Sequence, residues 1–342
     1  MYKILRYCLF LFPTETSHYL TLNALKLAHS LGLTRLLFGT EKNAPTRVFG
    51  LQFKNPIGIG AGLDKNGDYI DALSDLNVGF IEVGAITPKP QVGNTKPRLF
   101  RLKKDQAIIN RMGFNNKGVD HLVKNLANKK TTCLIGVNLG KNKDTPLTEA
   151  KDDYIYCLKQ VYAYCDFLTI NISSPNTPDL RKLQTAEYLT TLLQSVKNAR
   201  DDCATQQQKY VPLLVKLSPD LNDAELIMIL DTINHIGLEG IIATNTTTTR
   251  SDALRSLLAK ELGGLSGKPL QSLSMASLQK IKQHSEKLPV ISIGGIDSVN
   301  EANRRFAHGA SLIQLYTGLI YQGPGLLKKI LRSVSKISHD SS

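Results

Sequence analysis

The stretch Pro56-Ile57-Gly58-Ile59-Gly60-Ala61-Gly62-Leu63-Asp64-Lys65 begins as a short apolar run and ends in small and charged residues. A continuous apolar run of this length is typical of a strand buried on both faces. Seven other runs have the same form and the same kind of ending. The sequence therefore predicts strands at 56–60, 80–84, 133–138, 167–171, 213–216, 240–244, 290–294 and 312–316.

Amphipathic segments with helical periodicity lie between these runs, for example 117–127, 152–162, 186–199, 223–235 and 274–284. Roughly eight β–α units fit a (β/α)₈ barrel (TIM barrel) better than a doubly wound open sheet, although the alternation alone allows both. In a barrel every strand's carboxyl end reaches the same face, whereas in an open sheet only those at the switch point meet. Because nearly all the runs end in polar or small residues, we predict the α/β class and a barrel. The segment 47–55 around Gly50 predicts a hairpin at the barrel bottom.

The first forty residues have a different character. Leucines at helical spacing alternate with scattered lysine and arginine, and breaks near Pro13-Thr14 and Gly32 predict two short amphipathic helices. They form either a cap packed on the main domain or a hairpin whose apolar face enters lipid, and both can hold. No apolar run reaches the roughly 18 residues that a membrane-spanning helix needs. We expect an extension at 1–42, a barrel at 43–336 and a flexible tail at 337–342.

Composition limits the partners and the compartment. The net charge of +13 indicates an anionic partner. Because the basic residues are spread along the chain, that partner is not expected to be nucleic acid. Five cysteines without C-x-x-C spacing predict reduced, buried thiols in a protein that faces the cytoplasm, and no histidine pair has metal-ligand spacing, so we expect no metal site. A small acidic substrate and an anionic lipid surface remain as partners.

Two glycine turns predict a phosphate site. Ile293-Gly294-Gly295-Ile296 and Tyr316-Thr317-Gly318 follow the seventh and eighth predicted strands, where barrels commonly bind phosphate through backbone N–H groups. The glycines at 58–62 lack the G-x-G-x-x-G spacing of a dinucleotide site. We therefore interpret them as positions where the backbone comes close to a flat ligand.

Lysines and asparagines gather at the same predicted face. Lys65 and Lys216 follow strands rather than solvated helices, and a lysine there is unfavourable unless it meets negative charge. Amides offer donors and acceptors together, which suits a ligand with alternating C=O and N–H groups such as a pyrimidinedione. Snorkelling lysines and turn-forming asparagines are the alternatives. The asparagines concerned are Asn110, Asn138, Asn171, Asn176 and Asn245.

The loop Asn171-Ile172-Ser173-Ser174-Pro175-Asn176-Thr177-Pro178 follows the fourth predicted strand. Its two prolines stiffen the chain and could hold the Ser174 hydroxyl at a fixed point. A serine is a poor base unless its own proton leaves through a partner, so Thr177 or a bound water would have to act as a relay.

Five motifs are long enough to identify a family: Ala61-Gly62-Leu63-Asp64-Lys65, Asn110-Arg111-Met112-Gly113-Phe114-Asn115-Asn116, Gly140-Lys141-Asn142-Lys143-Asp144-Thr145-Pro146, the 171–178 loop, and Gly263-Gly264-Leu265-Ser266-Gly267. Together they resemble the motifs of the class 2 dihydroorotate dehydrogenases, which are membrane-associated and quinone-dependent. The resemblance extends from the N-terminal helices to Gly323-Pro324. It implies oxidation of dihydroorotate to orotate in pyrimidine biosynthesis, with one FMN per chain as hydride acceptor and a membrane quinone as final acceptor.

The resemblance also implies roles for individual residues. Ser174 matches the base that removes the C5 proton while hydride passes from C6 to flavin N5, and Lys216 would stabilise the reduced flavin. Serine at this position, where the soluble class has cysteine, marks the second class. His18 and Arg101 match residues of the quinone tunnel. The residues expected at FMN are Ala61, Gly62, Leu63, Asp64, Lys65, Ala85, Asn138, Asn171, Lys216, Thr244, Gly267, Gly295, Tyr316 and Thr317, the last three at its phosphate. Those expected at the substrate are Lys65, Asn110, Arg111, Met112, Gly113, Phe114, Asn171, Asn176, Asn245 and Thr246.

Ala85 departs from the pattern, because many relatives carry threonine there. We expect a monomer bound peripherally at the cytoplasmic face of a bacterial membrane, since no arginine- and serine-rich transit segment precedes the extension. Two alternatives stay open. One is a soluble FMN barrel that uses fumarate or NAD, and the other is a non-redox barrel enzyme that binds a phosphorylated sugar.

Overall fold

Eight parallel strands form a closed barrel in the computed structural model, which describes residues 2–39, 43–177 and 179–340. Neighbouring strands follow the chain order, and the last pairs with the first through Ile313 opposite Ile57. The predicted (β/α)₈ barrel is confirmed, and each of the eight predicted runs overlaps one barrel strand. The strands are β3 (Ile57–Ile59), β4 (Phe80–Ile86), β7 (Leu134–Leu139), β8 (Phe167–Asn171), β9 (Leu213–Leu217), β10 (Gly240–Ala243), β12 (Val290–Ile293) and β13 (Leu312–Leu315).

Helices surround the barrel: α4 (Ile70–Ser74), α5 (Val119–Ala127), α6 (Ala150–Val161), α7 (Ala186–Gln207), α8 (Asp223–Ile236), α9 (Gln271–His284), α10 (Val299–Ala307), α11 (Thr317–Gln322) and α12 (Gly325–Asp340). Each predicted amphipathic segment corresponds to one of them. Helix α7 continues to Gln207 rather than 199, because Arg200 and Cys203 in its polar second half are buried against the barrel. Helix α12 extends to Asp340, four residues into the predicted tail; residues 341–342 lie outside the described residues.

A hairpin closes the bottom of the barrel, as predicted. Strands β1 (Thr46–Val48) and β2 (Leu51–Phe53) pair antiparallel around Phe49 and Gly50. The Phe53 ring stacks edge-on against Phe80 with 5.3 Å between centroids, and Phe80 does the same with Phe167 at 5.9 Å. This aromatic stack fills the barrel's lower end.

The stack explains one of the glycines in the 58–62 run. A Cβ on Gly58 would lie 2.4 Å from the Phe80 ring, and one on Gly60 would lie 2.5 Å from Ile293 Cδ1. Packing inside the barrel therefore requires Gly58, whatever the cavity binds, and a side chain at position 60 would displace the end of the Ile293 side chain. Of the five residues, Ala61 and Gly62 line the cavity above, so the close approach to a ligand falls on them.

A small antiparallel sheet covers part of the upper face, and nothing in the strand-run pattern predicted it. Strands β5 (Leu99–Leu102) and β6 (Ala107–Asn110) come from the segment after β4, and β11 (Gly264–Gly267) comes from the segment after β10. Asn110 pairs with Leu99 on one side and with Gly264 on the other. Its own apolar cluster is Phe100, Leu102, Ala107, Ile109 and Leu265.

The N-terminal extension consists of three helices rather than the two predicted: α1 (Tyr2–Leu9), α2 (Thr14–Ser30) and α3 (Leu33–Phe38). The breaks fall at Pro13 and Gly32 as expected, and the third helix follows the second break. Tyr2 donates a hydrogen bond to the Ile320 carbonyl, and Lys26 donates one to the Asp68 carbonyl. The extension therefore packs on the barrel, as the cap interpretation expects; its predicted residues 40–42 lie outside the described residues.

Apolar side chains nevertheless face outward from these helices. The exposed ones are Ile4, Leu5, Tyr7, Leu11, Phe12, Tyr19, Leu20, Leu27, Leu31, Leu33, Leu36 and Leu37. No helix among residues 2–39, 43–177 and 179–340 is long and apolar enough to cross a membrane.

Candidate active site

The strand ends surround a cavity of about 1190 Å³, counting its open mouth. Its walls come from the ends of the barrel strands, from the β5–β6–β11 sheet and from α2. The lining includes most of the residues that the sequence placed at a site: Ala61, Gly62, Lys65, Ala85, Asn110, Met112, Gly113, Phe114, Asn171, Ser174, Asn176, Lys216, Thr244, Asn245, Thr246, Gly267, Gly295, Tyr316, Thr317 and His18.

The other expected site residues lie outside this lining. The Asp64 carboxylate accepts the backbone N–H groups of Asn66, Asp68 and Tyr69, and so shapes the loop after β3. Burial raises the pKa of Asp64 to about 6, although these N–H groups oppose the shift. Arg111 turns outward and donates to Glu261 at 2.7 Å. Leu63 is buried in the apolar core.

One end of the cavity is built from backbone N–H groups. Those of Gly295 and Ile296, and those of Thr317 and Gly318 at the start of α11, have no hydrogen-bond acceptor within the described part of the chain. Gly295 has a φ of +74°, and a Cβ there would lie 2.7 Å from Gln271 Cα, so only glycine fits. Converging N–H groups without internal partners form an anion-binding cradle.

The cradle is closed by two contacts between separate elements. The hydroxyls of Ser266 and Thr317 hydrogen bond at 2.8 Å, which joins β11 to α11. The Tyr316 hydroxyl donates to the Gly62 carbonyl at 3.2 Å, which joins the ends of β13 and β3. These contacts fix the start of α11 against β11 and the end of β3, and Gln271 Nε2, which donates to the Gly295 carbonyl at 3.0 Å, holds the glycine turn after β12.

A chain of amides runs beneath the opposite side of the cavity. Asn171 Nδ2 donates to Asn138 Oδ1 at 2.8 Å, and Asn138 Nδ2 donates to Glu82 Oε1 at 2.7 Å. Asn245 Nδ2 donates to Ser173 Oγ at 3.0 Å and lies 3.4 Å from Asn171 Oδ1. Asn138 thus lies behind Asn171, and it reaches the cavity only through that neighbour.

The loop after β8 presents Ser174 to the cavity. The backbone N–H of Asn176 donates to Ser174 Oγ at 3.3 Å, and the Asn176 side chain donates to Asn110 Oδ1 at 3.0 Å. Thr177 is buried, and its hydroxyl has no hydrogen-bond partner among the residues described. No hydrogen bond between Ser174 and Thr177 is present in the described residues, so the expected relay is not formed in this arrangement.

An arginine outside the cavity ties this loop to its neighbour. Arg181 donates to the carbonyls of Ser173 and Thr246, each at 3.2 Å, and to Asp220 Oδ2 at 2.9 Å. Asp220 in turn accepts the backbone N–H of Thr248. The loops that follow β8 and β10 are therefore held together by one guanidinium, which sequence reasoning did not single out.

Positive charge faces the cavity from Lys65, whose ammonium donates to the Gly62 carbonyl at 3.3 Å. Burial and the nearby Arg98 guanidinium lower the pKa of Lys65 to about 8, although Glu15 and Asp64 oppose the shift. Burial and the Lys65 charge lower the pKa of His18 to about 4, so its imidazole is neutral at pH 7. An anion bound beside Lys65 would restore the ammonium's preference for the charged form.

Lys216 faces the cavity from β9, with its Nζ 3.5 Å from Glu82 Oε2. Sequence reasoning missed Glu82, although an acidic residue inside the run Phe80–Ile86, every residue of which is buried, is itself a signal. It also missed Gln314, whose polar side chain interrupts the apolar strand β13 in the same way, and Glu15, which lines the cavity from α2.

The fold and the site together define a (β/α)₈-barrel enzyme whose cavity joins an anion cradle to two ammonium groups and a set of amides. The family model for Dihydroorotate dehydrogenase matches residues 43–337. The Dihydroorotate dehydrogenase (quinone) of Idiomarina loihiensis is 50% identical over 332 residues, which cover 97% of this chain and 99% of that protein. The protein of the same name from Haemophilus influenzae is 46% identical over 338 residues, covering 98% of this chain and 100% of the relative.

Solved structures agree with the sequence comparisons. The crystal structure of DHODH in complex with ferulenol from Eimeria tenella superposes with a TM-score of 0.86 at 35% identity, covering 96% of this chain and 93% of that chain. A ligand-free DHODH from the same organism gives a TM-score of 0.86 at 36% identity over 94% and 95% of the two chains. The chain belongs to the dihydroorotate dehydrogenase family.

Proposed function

We propose that this protein oxidises dihydroorotate to orotate in pyrimidine biosynthesis, with FMN as hydride acceptor and a membrane quinone as final electron acceptor. Relatives about half identical over nearly the whole chain carry the name dihydroorotate dehydrogenase (quinone). The observation that carries the proposal is the meeting of Ser174, Lys65 and Lys216, from three separate strand ends, around one cavity. One hydroxyl and two ammonium groups suit proton abstraction from an anionic substrate beside an electron acceptor.

The cavity would hold one FMN. Its phosphate would accept the N–H groups of Gly295, Ile296, Thr317 and Gly318, which have no acceptor in the described residues. The buried Thr244 hydroxyl, also without a partner in that part of the chain, lines the same cavity. When bound, FMN supplies a two-electron acceptor for a hydride. Ala85 lacks the hydroxyl of the threonine that many relatives carry at this position, and the absence removes at most one hydrogen bond to FMN, worth about 1 kcal/mol.

The substrate would lie between the amides and Ser174. Asn110, Asn171, Asn176 and Asn245 offer donors and acceptors toward a ring with alternating C=O and N–H groups. Lys65 would meet the negative charge of the substrate, which compensates the burial of its ammonium. These side chains would give orotate polar partners around its ring and for its carboxylate.

Ser174 would take the proton from C5 of the substrate. A serine hydroxyl is a poor base, so it must give its own proton to a neighbouring group as it accepts the proton from C5. The Thr177 hydroxyl is buried in the same loop and has no partner among the residues described, so it is a candidate relay, directly or through a water. Lys216 would hold its charge near the electron acceptor as negative charge develops there.

The extension would guide the quinone. Glu15 and His18 bring α2 into the cavity wall, and Arg101 donates to Ser17 Oγ at 3.1 Å beneath the same helix. A neutral His18 suits the passage of an uncharged ring. The apolar side chains exposed on α1, α2 and α3 would enter the cytoplasmic leaflet, so that the protein, a monomer, binds the membrane peripherally.

The test begins with the purified protein's spectrum. A flavin spectrum is expected, with one FMN released per chain on denaturation. Anaerobic dihydroorotate should bleach it, and a short-chain quinone should restore it faster than fumarate or NAD. A colourless protein that cannot be reconstituted with FMN would overturn the redox proposal. Reoxidation by fumarate or NAD alone would overturn the quinone assignment.

A further inference from the structure

Glu82 is a carboxylate buried in the barrel interior. It lies in β4, where every residue is buried, and it has no exposed surface. A charge in such a place is costly unless donors surround it. Nothing in the proposed chemistry uses Glu82 directly, because it lies beneath the residues that line the cavity.

Four donors from four strand regions converge on this carboxylate. Asn138 Nδ2 lies 2.7 Å from Oε1, and Gln314 Nε2 lies 2.8 Å from Oε2. The Ala61 backbone N–H and the Lys216 ammonium approach Oε2 at 3.3 and 3.5 Å. Glu82 therefore connects the loop after β3 with β7, β9 and β13.

The carboxylate fixes the direction of the amides that contact it. Since a carboxylate only accepts, Gln314 must turn its NH₂ group toward Glu82, which leaves its Oε1 on the other side. That oxygen is buried and has no partner in the described part of the chain, and Gln314 lines the cavity. Gln314 thus presents an acceptor built for a ligand N–H.

The same logic extends through Asn138. Its NH₂ group faces Glu82, so its Oδ1 must accept, and it accepts from Asn171 at 2.8 Å. The Asn171 oxygen is then left as the acceptor next to the Asn245 amide at 3.4 Å. One carboxylate at the end of this chain decides which edge of Asn171 offers a donor and which an acceptor.

We propose that Glu82 is a positioning residue that sets both the charge and the hydrogen-bond direction of the cavity floor. It offsets part of the positive potential that Lys216 exerts on a bound flavin, and so keeps the flavin's midpoint potential lower than Lys216 alone would set it. The inference rests on the proposed flavin. It assigns the carboxylate no contact with substrate or cofactor, and its effects pass through Lys216, Gln314 and Asn138.

The experiment measures the midpoint potential of the bound flavin in Glu82→Gln. Without the carboxylate, the Lys216 charge is no longer offset, so the potential is expected to move to a more positive value. Glu82→Asp keeps the charge and should remain near wild type. The double variant Glu82→Gln with Lys216→Met should return close to the wild-type potential, because it removes one positive and one negative charge and leaves the net charge beside the flavin unchanged, whereas Lys216→Met alone should move the potential to a more negative value.

A partly buried ion pair at the other end of the barrel supplies the control. Glu239 precedes β10 and contacts Arg200 at 3.0 Å, with the backbone N–H of Leu213 also bound to its carboxylate. Glu239→Gln should lower the unfolding temperature without moving the flavin potential. A merely structural role for Glu82 predicts the same behaviour for Glu82→Gln, and that result would overturn the proposal.

Gln314→Met gives a second test that leaves both charges in place. It removes the acceptor oxygen that Glu82 orients. The affinity of the apoprotein for FMN, measured by quenching of the flavin fluorescence, should therefore fall roughly five- to tenfold, which corresponds to the loss of about one hydrogen bond. Unchanged affinity would overturn the assignment of Gln314. If wild-type protein bound no flavin at all, the proposed function itself would fail; a flavin-loaded wild type with an unshifted Glu82→Gln sinks only the inference about Glu82.

Discussion

Glu15 of α2 and Arg98, which immediately precedes β5, form a two-point ion pair, with Arg98 Nη2 2.8 Å from Oε1 and Nε 3.3 Å from Oε2. Burial alone would raise the pKa of Glu15, but the hydrogen bonds and charge of Arg98 lower it overall. Paired contacts of this geometry are stronger than single ones and fix orientation. The pair therefore fastens the extension where Glu15 and His18 reach the cavity.

Glu15→Gln is expected to loosen the extension. The amide has one acceptor oxygen where the carboxylate has two, and Arg98 loses its counter-charge, at a cost of about 1–3 kcal/mol. Quinone turnover in steady state should fall more than the rate of anaerobic flavin reduction by dihydroorotate. Lys96→Met is the matched control, because Lys96 contacts Glu15 only at 3.6 Å from an exposed position. Equal losses in both half-reactions would contradict the docking role.

Orotate binding should weaken at alkaline pH. Because the folded-state pKa of Lys65 is lowered to about 8, the ammonium is present below that pH and is lost above it. Affinity for the orotate anion is therefore expected to be flat below pH 8 and to fall, by roughly tenfold per pH unit, well above it. Titration of the flavin spectrum with orotate between pH 6.5 and 9.5 measures this.

Lys65→Ala provides the comparison for that titration. It should bind orotate more weakly at neutral pH, and its plot of orotate affinity against pH should lack the break that wild type shows near the Lys65 pKa of about 8. If the wild-type affinity showed no break in this range, or if Lys65→Ala kept one, another group would be responsible. Glu15→Gln should move the break to lower pH, since the Glu15 charge raises the pKa of Lys65.

The barrel was predictable because the sequence pattern that indicates each of its strands is local. Each strand is a short apolar run, and each run ends in residues that a core would reject, such as Asn171 or Lys216. Only one fold brings all those endings to one face, and the hydrogen bond between Asn171 and Asn138, from neighbouring strands, shows that they meet. The barrel topology alone brings the polar strand ends together, so predicting the site required no knowledge of individual side-chain contacts.

The β5–β6–β11 sheet and Glu82 were not predictable in that way. Strand β11 pairs with β6 across about 150 residues of chain, as the pairing of Gly264 with Asn110 shows, and no local pattern fixes such a partner. Glu82 is a single acidic residue in the run Phe80–Ile86. Its presence signals a buried charge, but its partners Gln314 and Lys216 lie on strands far along the chain.

The exposed apolar residues of the extension should bind lipid. Leu11 is 70% exposed and Leu36 is 84% exposed, and burying each in a bilayer is worth about 1.5–3 kcal/mol. The double change Leu11→Glu and Leu36→Glu should therefore reduce flotation with anionic phospholipid vesicles more than tenfold. Leu257→Glu is the control, because Leu257 is 98% exposed but lies outside the extension. Equal flotation of the double variant and wild type would contradict the prediction.

Arg181→Lys should slow the reaction without weakening flavin binding. A lysine keeps the charge but cannot reach Ser173, Thr246 and Asp220 together, so the loop that carries Ser174 would lose its fixed position. The rate of anaerobic flavin reduction is expected to fall roughly 10- to 100-fold, the cost of a small misplacement. Lys182→Met, which removes only a surface pair with Asp179, should leave that rate unchanged. A wild-type rate in Arg181→Lys would show that the clamp is dispensable.

Ser174→Ala tests the proposed base directly. The change removes one hydroxyl from a loop that the Asn176–Asn110 hydrogen bond and Arg181 still hold, so FMN and orotate affinities should stay near wild type. Flavin reduction by dihydroorotate, followed by anaerobic stopped flow, should slow by about 10²- to 10⁴-fold. Ser173→Ala is the neighbouring control, since Ser173 accepts from Asn245 without lining the cavity. Near-normal reduction in Ser174→Ala would exclude Ser174 as the base, and a comparable loss in Thr177→Val would identify Thr177, rather than water alone, as the relay.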